Sequence, residues 1–144
     1  MATMPKAVTA VETQQTLINN VHEYAKYMNA RDVEKIVSRY TTDGRILAPF
    51  KPMAQGLPAI RHLLGEMFKE NDPRNVKIET ECVEVQETLA SCVGTFTMNA
   101  SLPTGKRIDY RGKWMTTLRL VGTDWKILFH TYNTDLPLTD FFAK

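Results

Sequence analysis

The sequence predicts an α+β fold in which three N-terminal helices pack on one face of a curved, mostly antiparallel sheet. Two observations carry that prediction. Apolar residues recur at helical spacing as far as Pro73, and at a spacing of two from Val76 onward. Within the second region the alternation slips once near Cys82 and Val83 and is interrupted by Gly112, and both features bend a sheet.

Leu17, Val21, Tyr24 and Met28 fall at i, i+4, i+7 and i+11, one stripe of an amphipathic helix, with Asn19, Asn20, Glu23 and Lys26 on the other side. The pattern gives a first helix from about Thr13 to Ala30. Asp32 follows as an N-cap, its carboxylate accepting the free amides of the next turn. Val33, Ile36, Val37 and Tyr40 continue the helical stripe, and the turn formers Thr41-Thr42-Asp43-Gly44 are expected to stop this short second helix. A brief strand, Arg45 to Ala48, runs into Pro49, and Phe50 to Gly56 reads as a loop. Pro58 has the fixed φ that suits a first helical turn. Ile60, Leu63, Leu64, Met67 and Phe68 then mark a third helix that ends at Asn71-Asp72-Pro73.

Beyond Pro73, Val76, Ile78, Thr80 and Cys82 alternate with Lys77, Glu79 and Glu81, after which Val83 and Val85 carry the apolar phase. One slipped residue in a long strand is a β-bulge. The next strand, Ser91 to Ala100, sets Cys92, Gly94, Phe96 and Met98 on one face. After the turn at Pro103-Thr104-Gly105, Ile108, Tyr110, Trp114, Thr116, Leu118 and Leu120 face inward, with the charged Arg107, Asp109, Arg111, Lys113 and Arg119 outward. Gly122-Thr123 forms a tight hairpin. Trp125, Ile127, Phe129, Thr131 and Asn133 are expected to continue the inner face, leaving Leu128, His130 and Tyr132 outside.

Bulk composition narrows the function. With 144 residues, 43% hydrophobic and 24% charged, the chain suits one domain over 1–144, its core at about 14–134 and an apolar tail at 135–144. Net charge is only +2 and the basic residues are dispersed, without the basic stripe of a nucleic-acid binder. No stretch reaches the ~18 continuous apolar residues of a membrane span. Met1 to Thr13 lacks the apolar middle of a signal peptide, so the cytoplasm is the expected location. A hairpin turn near Thr88 and Leu89 would set Cys82 opposite Thr95 and Cys92 opposite Val85, so the two are read as buried, reduced thiols. Three scattered histidines do not supply a zinc site, and neither metal nor cofactor is expected.

Three local patterns add to the element order: Asn29-Ala30-Arg31-Asp32 leading to Tyr40-Thr41-Thr42-Asp43-Gly44, then Gln55-Gly56-Leu57-Pro58-Ala59-Ile60, then Asp124-Trp125-Lys126-Ile127. In this order and spacing they resemble the nuclear-transport-factor-2-like superfamily, with its ketosteroid isomerases, SnoaL polyketide cyclases and scytalone dehydratases. The resemblance covers roughly residues 14 to 134. It implies a cone-shaped, cystatin-like roll, an apolar cavity between helices and sheet, and homodimers formed through the outer sheet face. Aligned on the flanking motifs, Tyr24 falls where the isomerases have their Tyr donor, Ala48 where they have the Asp base, and Thr116 where they have the protonated Asp of the oxyanion hole. Only one of these three groups is kept, and the paired histidines of a scytalone-dehydratase-like site are absent.

The polar inventory of the expected cavity is short. Tyr24 should point inward and find a partner, either a ligand carbonyl or a structural bond to Thr116 or Asn133. Thr116 and Asn133 either orient a ligand or satisfy each other. His130 is the back-up base, although its strand phase places it outward at a subunit interface, a placement that a one-residue slip reverses. His22 and His62 read as helix-flank residues. Met28, Ala48, Phe50, Met53, Met67, Phe68, Phe96, Met98, Trp114 and Phe129 form the apolar wall, suited to a flat or fused-ring ligand. The tail residues Leu136, Leu138, Phe141 and Phe142 are expected to cover the cavity mouth or to pack across a dimer.

Two functions compete on this evidence. One is an isomerase-, cyclase- or dehydratase-type enzyme, independent of cofactors, that acts on an apolar carbonyl compound with Tyr24 as donor and Thr116 assisting. The other is a non-catalytic dimeric module that binds an apolar metabolite or serves assembly, with Val93, Thr95, Thr97, Met115, Thr117, Leu128 and Tyr132 on the shared face. A carboxylate or histidine inside the cavity would separate them, and the strand phase predicts none there.

Overall fold

The structure, a computed structural model, describes residues 9–142, with side chains from 9 to 140. The chain runs α1 (Ala10–Asn29), α2 (Val33–Val37), β1 (Tyr40–Leu47), β2 (Ala54–Gln55), α3 (Leu57–Asn71), β3 (Arg74–Gln86), β4 (Leu89–Ser101), β5 (Arg107–Val121), β6 (Asp124–Thr134) and α4 (Leu138–Phe142). The α+β class and the helix-then-sheet order match the sequence reading.

Helix α1 begins earlier than its apolar stripe because Thr9 and Glu12 cap it reciprocally. The Thr9 hydroxyl accepts from the Glu12 amide at 3.0 Å, and the Glu12 carboxylate accepts from the Thr9 amide at 3.2 Å. Asp32 caps α2 as predicted, accepting from the Lys35 amide at 3.1 Å. Helix α2 ends at Val37, and Tyr40 opens β1 instead of closing a helical stripe. Thr41-Thr42-Asp43-Gly44, expected as a turn, lie inside β1. The Ile127 amide donates to the Arg39 carbonyl at 2.7 Å and draws the chain onto β6, where a register shift between Tyr40 and Arg45 absorbs the turn formers as a bulge. A side chain at Gly44 would crowd the carbonyls of Thr41 at 3.0 Å and Ile127 at 3.2 Å. The expected loop at 50–56 also contains β2, which pairs with β1 at Arg45–Gln55 and Ile46–Ala54.

The six strands form one sheet in the order β2-β1-β6-β5-β4-β3, antiparallel except for β1 beside β6. Helix α1 packs along β3 and α3 along β1. Between helices and sheet lie Leu17, Ile36, Ile46, Ile60 and Cys92, each at most 2% exposed. The predicted bulge in β3 is present between Thr80 and Cys82. A further bulge, in β6, was not predicted: Thr117 pairs with Phe129 and Leu118 with Ile127, which leaves Leu128 as the extra residue.

Gly94 and Gly112 are both needed by neighbouring rings. A Cβ on Gly94 would meet the Trp114 ring at 2.7 Å, and one on Gly112 would meet the Phe96 ring at 2.8 Å, with strand backbone pressing on each as well. Asp72 ends α3 in the left-handed conformation and gathers Arg31, Arg74 and Arg107 at 2.6, 2.9 and 3.1 Å, tying the α1–α2 junction and β5 to the start of β3.

The β3–β4 turn falls at Glu87 and Thr88, so Cys82 pairs with Val93 and Cys92 with Val83, not with the partners expected. Both are free thiols; Cys92 is buried, but Cys82 is exposed next to the bulge, against expectation. Leu138 in α4 is exposed to solvent. The side chains of Phe141 and Phe142 lie outside the described residues. No helix among the described residues is long and apolar enough to cross a membrane.

Candidate functional site

A cavity of about 110 Å³ opens between the helices and the inner face of the sheet. Its apolar wall is built from regular spacing. The α1 stripe brings Leu17, Val21, Tyr24 and Met28 to it, α3 brings Leu63, Leu64 and Met67, and the inward phases of β4 and β5 bring Phe96, Met98, Trp114, Thr116 and Leu118. Trp114 is fixed by its indole N–H, which donates to the Thr95 carbonyl at 3.1 Å.

The polar side is a chain of three groups from distant parts of the sequence. The Tyr24 and Tyr40 hydroxyls are 2.8 Å apart, and the Tyr40 hydroxyl lies 2.8 Å from Nδ1 of His130. The rings lock one another: Tyr24 stands edge-on to His130 at 6.0 Å and 88°, while Tyr40 stacks on His130 at 6.3 Å and 30°. Tyr132 lies beside His130 with ring centres 5.4 Å apart. Tyr24, His130 and Tyr132 line the cavity, together with Asn20 and Arg39.

Burial sets the charge state of this group. It pushes Tyr24 up to about 12 against the opposing effect of its bond to Tyr40, and raises Tyr40 and Tyr132 as well. It pushes His130 down to about 4. At neutral pH every member is therefore uncharged. Cys92, on the same face, is raised to about 11 by burial, partly offset by a bond to Thr116.

His130 and Tyr132 face inward, and Phe129, Thr131 and Asn133 face outward, the reverse of the sequence reading. The cause is the Leu128 bulge, which shifts the alternation of β6 by one residue. Phe129 is 44% exposed, and Thr131 and Asn133 are exposed too. Tyr24 consequently finds Tyr40, not Thr116 or Asn133. Phe50 and Met53 are also displaced from the expected wall, at 63% and 48% exposed. Phe50 sits at a positive-φ loop position, and Met53 borders a depression on the outer sheet face with Leu47, Met115 and Phe129. Ala48 and Phe68 pack into the core without lining the cavity, and Arg31 lies over the Phe68 ring.

No carboxylate lines the cavity among the described residues, but His130 and Arg39 do, against the prediction of no ionisable group there. His22 and Asp109 are exposed, and His62 pairs with Glu66 at 3.0 Å on the surface. No cluster of three or more His, Cys, Asp or Glu suited to a metal occurs among the described residues. The volume is below the ~300 Å³ at which drug-sized ligand pockets begin.

Residues 21–130 match the model of the SnoaL-like domain. Among solved structures, a ketosteroid isomerase-like protein from Erwinia carotovora atroseptica superposes with a TM-score of 0.75 at 18% identity, over 85% of this chain and 96% of that one. A nuclear-transport-factor-2-like protein with a cystatin-like fold from Novosphingobium aromaticivorans superposes with 0.70 at 13% identity, over 92% and 88%. A dehydratase candidate of the same superfamily from Streptomyces avermitilis gives 0.68 at 15%, over 87% and 96%. No curated protein matches the chain. At these identities the structural likenesses establish the fold.

Proposed function

The chain belongs to the SnoaL-like domain family, and on that premise we propose that its cavity binds a compact, one-ring apolar molecule through a single carbonyl oxygen. The observation that carries this reading is the uncharged Tyr24–Tyr40–His130 chain at a largely apolar, carboxylate-free wall whose other polar side chains are Asn20, Arg39 and Thr116. Binding sites of small apolar molecules use a few placed polar groups to fix orientation. Here Tyr40 holds Tyr24 in place, so that the Tyr24 hydroxyl meets the ligand already oriented. Isomerase-, cyclase- or dehydratase-type turnover of the bound carbonyl compound is the activity that this site suits.

The test is thermal stability against a series of cyclic ketones of increasing size, with Tyr24→Phe in parallel. A ligand at a hundred times its Kd adds about 2.7 kcal/mol, which for a domain of this length raises Tm by several degrees. Five- and six-membered ketones should give this shift, fused rings should not, and the shift should shrink in Tyr24→Phe. A shift unchanged by the substitution would remove Tyr24 from ligand reading.

A second reading concerns assembly and is supported by a different surface. Val93 and Met115 pair across β4 and β5, and Met115, Leu47 and Phe129 share the outer-face depression, all of them at least 39% exposed. A second copy of the chain is the occupant proposed for this apolar face, in a symmetric dimer.

A further inference from the structure

Resting on the reading of the cavity as a carbonyl site and deepening it, we propose that Tyr24, Tyr40 and His130 form an uncharged proton relay that enolises a bound ketone, with Nε2 of His130 taking the α-proton while Tyr24 delivers one to the oxygen. Two hydrogen bonds join the three groups, and each group owns one mobile hydrogen when the imidazole is neutral. Two arrangements keep the Tyr40 hydrogen within the chain. In the first, Nδ1–H donates to Tyr40, Tyr40 donates to Tyr24, and the Tyr24 O–H is left to donate into the cavity while Nε2 carries a free lone pair. In the second, every bond is reversed: Nε2 carries the hydrogen, and Tyr24 presents a lone pair.

Both end residues of the relay border the same space. Tyr24 and His130 line the cavity on rings 6.0 Å apart and perpendicular. Nε2 has no hydrogen-bond partner among the described residues, and unlike the unpartnered, fully enclosed hydroxyls of Thr41 and Thr80 it keeps some accessible surface. A nitrogen in that position has room for a ligand hydrogen.

The step balances without separating charge. The C–H bond next to the carbonyl breaks and its proton binds Nε2, and its electron pair becomes the C=C bond. The carbonyl π pair moves onto oxygen, which takes the Tyr24 proton. Tyr24 is reprotonated by Tyr40, and Tyr40 by Nδ1. The products are a neutral enol and the second arrangement of the relay. A lone buried base would instead have to create an ion pair in a largely apolar cavity, which its low dielectric disfavours. The burial that keeps His130 uncharged and the tyrosines protonated holds the relay in its working state. Return of the proton to the same carbon resets the relay, and return to a conjugated carbon moves a double bond. Tyr40 touches no ligand in this scheme, and its role is to connect the two ends.

The probe is cyclopentanone in heavy water. Proton NMR follows α-deuteration, and saturation transfer in the same samples reports binding. The wild-type protein should bind the ketone and deuterate it faster than buffer does. Tyr40→Phe should keep binding but lose the exchange by about 10²-fold, and His130→Gln, which still bonds to Tyr40, should lose it likewise. Binding without exchange in the wild type overturns the relay and leaves the carbonyl site standing. Exchange undiminished in Tyr40→Phe reduces His130 to a lone base and also overturns it. No binding by the wild type removes the carbonyl site and the relay together. Should Tyr40→Phe fail to fold, nitrogen-15 spectra of labelled histidine in the wild type decide. The relay requires a neutral His130 ring at pH 7 that cyclopentanone shifts towards the Nδ1–H form. An imidazolium, or a ring fixed in one form with and without the ketone, overturns it.

Discussion

A histidine kept neutral by burial makes stability depend on pH in a defined window. Unfolded, His130 titrates near its ordinary 6.5; folded, burial holds it down to about 4. Above pH 6.5 neither state carries the extra proton and the contribution to stability is complete. As the pH falls from 6.5 towards 4, the unfolded chain binds a proton that the folded chain refuses, and stability is lost. The loss amounts to a few kcal/mol at most, on the order of 3. Tyr24, Tyr40 and Tyr132, which surround the ring, stay protonated throughout that range. Urea unfolding at pH 7 and pH 5 should therefore show a larger drop for the wild type than for His130→Gln, whose amide does not titrate. Equal drops in the two proteins would mean that His130 is hydrated in the folded state.

At the scale of elements, the bulge near Cys82 in β3 and the Leu128 bulge in β6 differ in how visible they are. In β3 the phase change can be read because Val76 and Ile78 on one side and Val83 and Val85 on the other stand among glutamates and a lysine. In β6 it cannot, because Leu128 and Phe129 are both apolar and the following residues of either phase, His130 and Tyr132 or Thr131 and Asn133, are all suited to a polar pocket wall. With no contrast between faces, periodicity carries no information about register. Half of the polar site was hidden for that reason, and Tyr40 was hidden because turn-forming residues that follow it serve a bulge. The glycines allow a paired prediction. Gly112→Ala forces a Cβ against the Asn133 carbonyl and the Phe96 ring, and should lower stability by about 1–3 kcal/mol. Gly65→Ala, in the exposed interior of α3 with nothing within 4 Å, should raise it by about 0.5–1 kcal/mol. Thermal melts of the two variants check both signs.

For the molecule as a whole, the helix-on-sheet architecture was legible because the change of period at Pro73 is sharp and each half is long. The apolar outer face bears on its assembly. If a second copy covers it, light scattering should give twice the chain mass, and Met115→Lys with Phe129→Lys should return a folded monomer that still binds ketones. A monomeric wild type would leave that face to some other role. One more property follows from the parallel pairing of β1 with β6, in which residues some 90 positions apart in sequence meet, as Tyr40 and His130 do. A ribosome makes β6 after the other described strands, so β1 gains its long neighbour only once all of them have been made. Until then Tyr24 and Tyr40 exist without their histidine. Such distant pairing slows folding, and the growing chain holds apolar surface uncovered during that wait, which makes chaperone demand a property of the order in which these strands are made.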